Sequence, residues 1–215
     1  ANDSELSITE VNSGTYVFRI GPLREQLARV TTNNVQNEKY LTDVVGLLRG
    51  AGAAVTAMPV TDGWMVAGVN DRVQLAEAAR RMNQLIVRRW QVNGVTIDDP
   101  ATTWIDADVT LAEDVEIRPG TQLKGATLVQ SGAIIGPDTT LVDCEIGAGA
   151  TVKRTDATLA VIGENASVGP FAYLRPGTYL GADGKIGTFV ETKNSSIGVG
   201  SKVPHLSYIG DSEIG

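Results

Sequence analysis

The spacing of apolar residues changes character about halfway along the chain. In the first half it alternates or follows a helical turn. The segment "ITEVNSGTYVFRI" (8–20) alternates through Val11, Tyr16 and Phe18, which predicts a strand pair or a strand and turn. Gly21-Pro22 opens a short helix over "LREQLARV" (23–30), with Leu23, Leu27 and Val30 on one stripe. Residues 37–49 read as a second helix through Tyr40, Val44, Leu47 and Leu48, stopped by Gly50 and Gly52. "AAVTAMPV" (53–60) reads as a short buried strand. The clearest helix covers 71–92, with apolar positions Val73, Leu75, Ala76, Ala79, Met82, Leu85, Ile86 and Val87, and with Arg80, Arg81, Arg88 and Arg89 on the other side.

The second half has a period of six. Leu111, Ile117, Leu123, Val129, Ile135 and Leu141 stand in strict register. The phase slips by one at Ile146 and Val152, resumes at Ile162, Val168, Leu174, Leu180 and Ile186, slips again, and runs through Ile197, Val203 and Ile209 to Ile214. Small or β-branched residues such as Thr121, Thr127, Ala133, Ala150, Thr178 and Val190 follow most of them four positions later. This is the hexapeptide pattern of a parallel β-helix. Each short strand sends one large side chain inward, a small residue fits the corner, and coils stack at the strand spacing of ~4.8 Å. No single hexapeptide can bury its aliphatic alone, so the array folds as a stack. The irregular intervals 141→146, 152→162 and 186→197 predict shortened or looped-out corners.

Composition narrows the function. The 215 residues carry a net charge of −7, and the half beyond residue 100 holds 8 basic against 14 acidic residues. No stretch is basic enough to track a nucleic-acid backbone. No apolar run of ~18 residues predicts a membrane span, and no secretory signal is visible. A single cysteine, Cys144, rules out an internal disulfide framework, and a single histidine, His205, rules out sites built from several imidazoles of one chain. That last point excludes a metal-dependent hexapeptide enzyme of the γ-carbonic-anhydrase type.

The order of segments, together with "EVNSG" (10–14), "NEKYLTD" (37–43), "VAGVNDRVQL" (66–75), "GPFAYLRPG" (169–177), "GTFVETKNS" (187–195) and "KVPHLSYIGD" (202–211), resembles the bacterial bifunctional N-acetylglucosamine-1-phosphate uridylyltransferase and glucosamine-1-phosphate acetyltransferase family. The resemblance runs along essentially the whole chain. It implies an α/β fold (part of a nucleotidyltransferase domain, 1–70), a connecting helix (71–92), a linker (93–103) and a left-handed parallel β-helix acetyltransferase domain (104–215). It implies a cytoplasmic homotrimer. Acetyl passes from acetyl-CoA to glucosamine 1-phosphate, and the resulting N-acetylglucosamine 1-phosphate is joined to UTP with Mg²⁺. The family's Gly-rich triphosphate loop and its magnesium-binding aspartate have no counterpart in these residues, nor do its CoA-binding coils. The chain therefore reads as an internal fragment, expected to be inactive alone.

The resemblance also assigns residues. Taken alone, one histidine in a β-coil is usually structural. Within "VPHLSY", His205 is the general base for acetyl transfer, a task that suits an imidazole. Arg175, in "LRPG", and Lys193, in "ETK", bind the sugar phosphate, for which guanidinium and ammonium are the natural groups. Tyr208 adds a hydroxyl, and Glu191 orients the amine or its base. Asn12 hydrogen-bonds the sugar of the nucleotide product. Asn70 is a magnesium ligand beside the missing aspartate, and equally a helix N-cap. Cys144 receives no role. Two other readings fit the repeat: a sugar-1-phosphate nucleotidyltransferase with a regulatory β-helix, and a non-catalytic trimerising solenoid. A base and a phosphate clamp in the coils favour the enzyme.

Overall fold

In the computed structural model of the protein, residues 7, 9–33 and 36–215 are described. They fall into two compact units, Ala1–Arg72 and Val73–Gly215. Each is described by itself.

The first unit holds two short helices, α1 (Ile20–Leu27) and α2 (Thr42–Gly50), and a single 3₁₀ turn over Gly63–Val66. Val30, Val44 and Leu48 form its small core, with Phe18, Leu23, Leu47 and Ala53 packed around them. Helix α2 closes where the Ala53 N–H donates to the Leu48 carbonyl at 3.0 Å, beyond the left-handed Gly52. The predicted strands do not form: neither 9–19 nor 53–60 pairs with anything among the described residues, and Ile8 lies outside them. Val11, Val17 and Met58 stand 90%, 98% and 87% exposed. The physical reason is that a strand is half of a ladder. An alternating segment with no strand beside it gains no hydrogen bonds and covers no face.

The second unit is a parallel β-solenoid entered through α3 (Arg72–Val92). Its inward residues stack in three columns. Ile97, Ile117, Ile135, Val152, Val168, Ile186 and Val203 line the first face. Ile105, Leu123, Leu141, Ala157, Leu174, Thr192 and Ile209 line the second. Leu111, Val129, Ile146, Ile162, Leu180, Ile197 and Ile214 line the third. Most of these side chains are wholly buried, and each aliphatic so buried contributes about 1.5–3 kcal/mol. The irregular intervals are not looped out. Ala157 and Thr192, both fully buried, occupy the inward places between Val152 and Ile162 and between Ile186 and Ile197. The corners beside them are one residue shorter. The first coil also begins earlier than the repeat suggests, at Thr96–Ile97, inside the stretch expected to link helix and solenoid.

Corner threonines satisfy the turning backbone: Thr121, Thr127 and Thr178 hydroxyls donate to the carbonyls of Arg118, Lys124 and Arg175. Helix α3 seals the open end. Ile86 and Val87 join the solenoid core, and Asn83 acts as a substitute strand. Its Nδ2 donates to the Thr103 carbonyl at 2.8 Å and its Oδ1 accepts the Ile105 N–H at 3.0 Å. Those are edge groups of the first coil that would otherwise lack a ladder partner. The expected apolar stripe is buried only in this part of the helix; Val73 and Leu75 remain 67% and 57% exposed.

Candidate functional site

Five of the seven candidate residues lie on the last coils: Arg175 directly after the strand Ala172–Leu174, the others on the strands Lys185–Lys193 and Lys202–Gly210. The two long strands bend around a corner and so run along both the first and the second face.

On the second face, Leu174, Thr192 and Ile209 point inward, so their neighbours point out. Tyr173, Glu191 and Tyr208 stand in one outward row across three coils. Arg175 follows Leu174, and Lys193 and Gly210 pair in the row beyond. The Arg175 N–H donates to the Thr192 carbonyl at 2.9 Å, which seats the guanidinium's backbone against that of Lys193. The two cations are therefore one strand spacing apart, about 4.8 Å at the backbone. Each has a carboxylate. Arg175 Nη1 lies 3.1 Å from Glu191 Oε1, and Lys193 Nζ lies 3.5 Å from Asp211 Oδ2. Both pairs are close to half exposed, so they orient side chains more than they stabilise the fold. Asn194 Nδ2 donates to Asp211 at 2.9 Å. That hydrogen bond and the Lys193 ammonium hold the Asp211 carboxyl below the usual carboxylate range.

His205 lies across the corner, at the first-face side, exposed and in register with Thr188. Leu206, in a left-handed conformation, makes the turn between it and Tyr208. Beneath Leu206 the same corner carries Phe189 and Phe171, also left-handed, their rings stacked at 5.3 Å with 7° between planes. Bulky residues rarely adopt this conformation. Gly187 allows the outer strand to approach: a Cβ there would overlap the Pro204 carbonyl oxygen and stand 2.6 Å from its carbon. The fold thus gathers Arg175, Glu191, Lys193 and Tyr208 on one face and sets His205 beside it around the edge.

Asn12 and Asn70 belong to the first unit. Asn12 Oδ1 accepts the Gly14 N–H at 3.0 Å, and its Nδ2 donates to the Tyr16 hydroxyl, a local turn. Asn70 is exposed just ahead of α3. Mg²⁺ takes about six oxygens and favours carboxylates. Asn70 offers one neutral oxygen, and no group of three His, Cys, Asp or Glu side chains converges among the described residues. These residues do not by themselves fit a magnesium centre. Cys144 is buried in the solenoid, where burial pushes its thiol upward and Val142 accepts its S–H at 3.3 Å. Asp211 and Asn194 were absent from the sequence-based candidates. Their signal is spacing: they stand 18 and 17 residues apart from their partners, one coil of the solenoid.

All 215 residues align with the Bifunctional protein GlmU of Leifsonia xyli subsp. xyli at 65% identity and with that of Kineococcus radiotolerans at 61%. The Mycobacterium tuberculosis protein of the same name is 56% identical over the same length. Over its full length the chain resembles part of GlmU. It spans 44% of the first two relatives and 43% of the third. No protein-family model matches. Among solved structures, PerB from Caulobacter crescentus in complex with CoA and GDP-perosamine covers 77% of this chain and 84% of its own, at 20% identity and a TM-score of 0.27. That likeness carries no weight beside the GlmU alignments.

Proposed function

We propose that the solenoid carries the acetyl-transfer site of a GlmU-type bifunctional transferase, with glucosamine 1-phosphate and acetyl-CoA as substrates. The observation that carries the reading is the gathering of Arg175, Lys193 and Tyr208 on two adjacent outward rows of one face, with His205 around the corner, in a chain so similar to GlmU. Arg175 grips the sugar phosphate with parallel N–H donors and Lys193 adds a point charge. The substrate amine attacks the thioester carbonyl. A C–N bond forms, the C–S bond breaks, and CoA leaves as its thiolate. His205 takes the amine proton and the thiolate ends protonated. Glu191 and Asp211 hold the two cations pointing at the phosphate before it arrives.

The same proposal gives the coil a left-handed sense, three copies in a homotrimer, and a place in the cytoplasm. No helix among the described residues is long and apolar enough to cross a membrane. Asn12 and Asn70 would contact the sugar nucleotide of the second reaction, uridylyl transfer from UTP to N-acetylglucosamine 1-phosphate.

The test is acetyl transfer to glucosamine 1-phosphate in the full-length protein, read as release of CoA thiol. His205→Ala should lower kcat by about 10²–10⁴ while the amino sugar still binds. Arg175→Ala and Lys193→Ala should chiefly raise KM. Unchanged turnover in His205→Ala would leave only a non-catalytic solenoid.

A further inference from the structure

We infer that Gly210 is a positioning residue for the Tyr208 hydroxyl, and that its missing side chain brings this hydroxyl into the row of phosphate-binding groups. The inference rests on the reading of that row as a sugar-phosphate site.

Tyr208 and Gly210 flank the inward Ile209, so both face outward on the second face. The Tyr208 ring does not stand away from the sheet. It lies along the strand, over residue 210: a Cβ built there would overlap the hydroxyl oxygen and sit 2.7 Å from the ring Cζ and 2.8 Å from Cε1. Gly210 is the register partner of Lys193, which neighbours Arg175 in turn. The hydroxyl therefore stands over the third backbone position of a row whose first two residues are Arg175 and Lys193. Position 208 itself belongs to a different row, beside Glu191 and Tyr173. An upright tyrosine would offer its hydroxyl next to a carboxylate, the wrong neighbour for a phosphate oxygen. Lying flat, it offers a donor beside two cations.

Gly210 is not needed for the backbone. Its φ is not in the left-handed region, and the atoms that a Cβ would meet belong to the far end of one side chain. Alanine at 210 is accommodated by swinging the tyrosine away. The substitution leaves the coil intact and moves the hydroxyl alone.

The experiment is a double-mutant cycle in the 215-residue chain, read twice. Calorimetry with glucosamine 1-phosphate should show Tyr208→Phe and Gly210→Ala each weakening binding on the order of tenfold, the scale of one hydrogen bond to a charged group. The double variant should be no weaker than Tyr208→Phe alone, because Gly210 acts only through the hydroxyl. Additive losses, or parental affinity in Gly210→Ala beside a weak Tyr208→Phe, would overturn the positioning role and leave the sugar-phosphate reading standing. Parental affinity in both variants would overturn the inference and remove Tyr208 from that reading. The second readout needs no ligand. If Gly210→Ala lowers the melting temperature, Tyr208→Ala/Gly210→Ala should melt like Tyr208→Ala, since the overlap is gone. A double variant that melts lower than Tyr208→Ala would show that Gly210 serves the backbone instead, and the inference falls.

Discussion

Gly187→Ala tests whether the geometry of the outer coils controls the imidazole. The new methyl carbon would overlap the Pro204 carbonyl oxygen, with the carbonyl carbon at 2.6 Å and the Val203 oxygen at 3.2 Å. All are backbone atoms, so no rotamer change relieves the contact. Carbon atoms rest at about 3.5–4.0 Å, so the strand Lys202–Gly210 must retreat by at least roughly 1 Å around Pro204, ahead of the Leu206 turn that leads to Tyr208. Val203, only 4% exposed, anchors that strand in the first-face column and resists the shift. Overpacking of this kind costs about 1–3 kcal/mol, or roughly 3–10 °C in Tm for a unit of this size. The residue after Pro204 is His205. A displacement of about 1 Å in a reacting group costs on the order of 10²-fold in rate. Arg175 hangs from an earlier coil and Lys193 lies at the far end of its strand. In the full-length protein, kcat for the proposed acetyl transfer should therefore fall about 10²-fold while KM for glucosamine 1-phosphate stays within about twofold. Circular dichroism melts of the same variant give the stability side. A parental Tm together with a parental kcat would refute the reasoning, as would a rise in KM with kcat untouched.

Three further outcomes follow from the structure. Asn83→Ala strands the Thr103 carbonyl and the Ile105 N–H, at about 1–3 kcal/mol for each unpaired group; hydrogen exchange at the Ile105 amide should accelerate, and unchanged protection would mean that α3 does not seal the coil. Asp211 is held charged by Asn194 and Lys193, so its folded carboxyl titrates below its unfolded value. The stabilisation is present above the ordinary aspartate range and is lost as pH falls through the depressed value. In Asn194→Ala a carboxyl NMR titration should show Asp211 protonating at higher pH than in the parent, and coincident curves would dismiss the hydrogen bond as a cause. Cys144, buried with its thiol pushed upward, should resist a thiol-specific disulfide reagent at mildly alkaline pH and react fully in urea; rapid labelling of the native chain would contradict a closed column.

How much of this was legible depends on what each signal needs. The columns were, because burying one aliphatic per strand enforces a period that survives in the sequence. Ala157 and Thr192 were not, since a short corner leaves less room inside and a small residue fills it without looking apolar. Ile97 stood outside the strict register because the wide turn through Asp99 and Thr102 sets it eight residues before Ile105, which itself keeps the step of six to Leu111. In the first half, alternation promised strands that pair with nothing among the described residues. At the site, motifs named Arg175, Glu191, Lys193, His205 and Tyr208, but not Asp211, which meets Lys193 from the next coil.

Coil length is not constant, and that decides which residues meet. On the second face Leu141 pairs with Ala157 16 residues on, Glu191 with Tyr208 17 on, and Tyr173 with Glu191 18 on. With uniform coils of three hexapeptides His205 would lie opposite Gly187. The shortened corner between Thr192 and Ile197 moves it to Thr188 and sets Pro204 against Gly187 instead. A proline has no N–H to give the ladder, and here its carbonyl comes so close that only a residue without Cβ can stand beside it. The position of the imidazole is thus set by a buried threonine thirteen residues before it and tolerated by a glycine eighteen before it. Neither residue touches the chemistry, and neither is recognisable until the coil is wound.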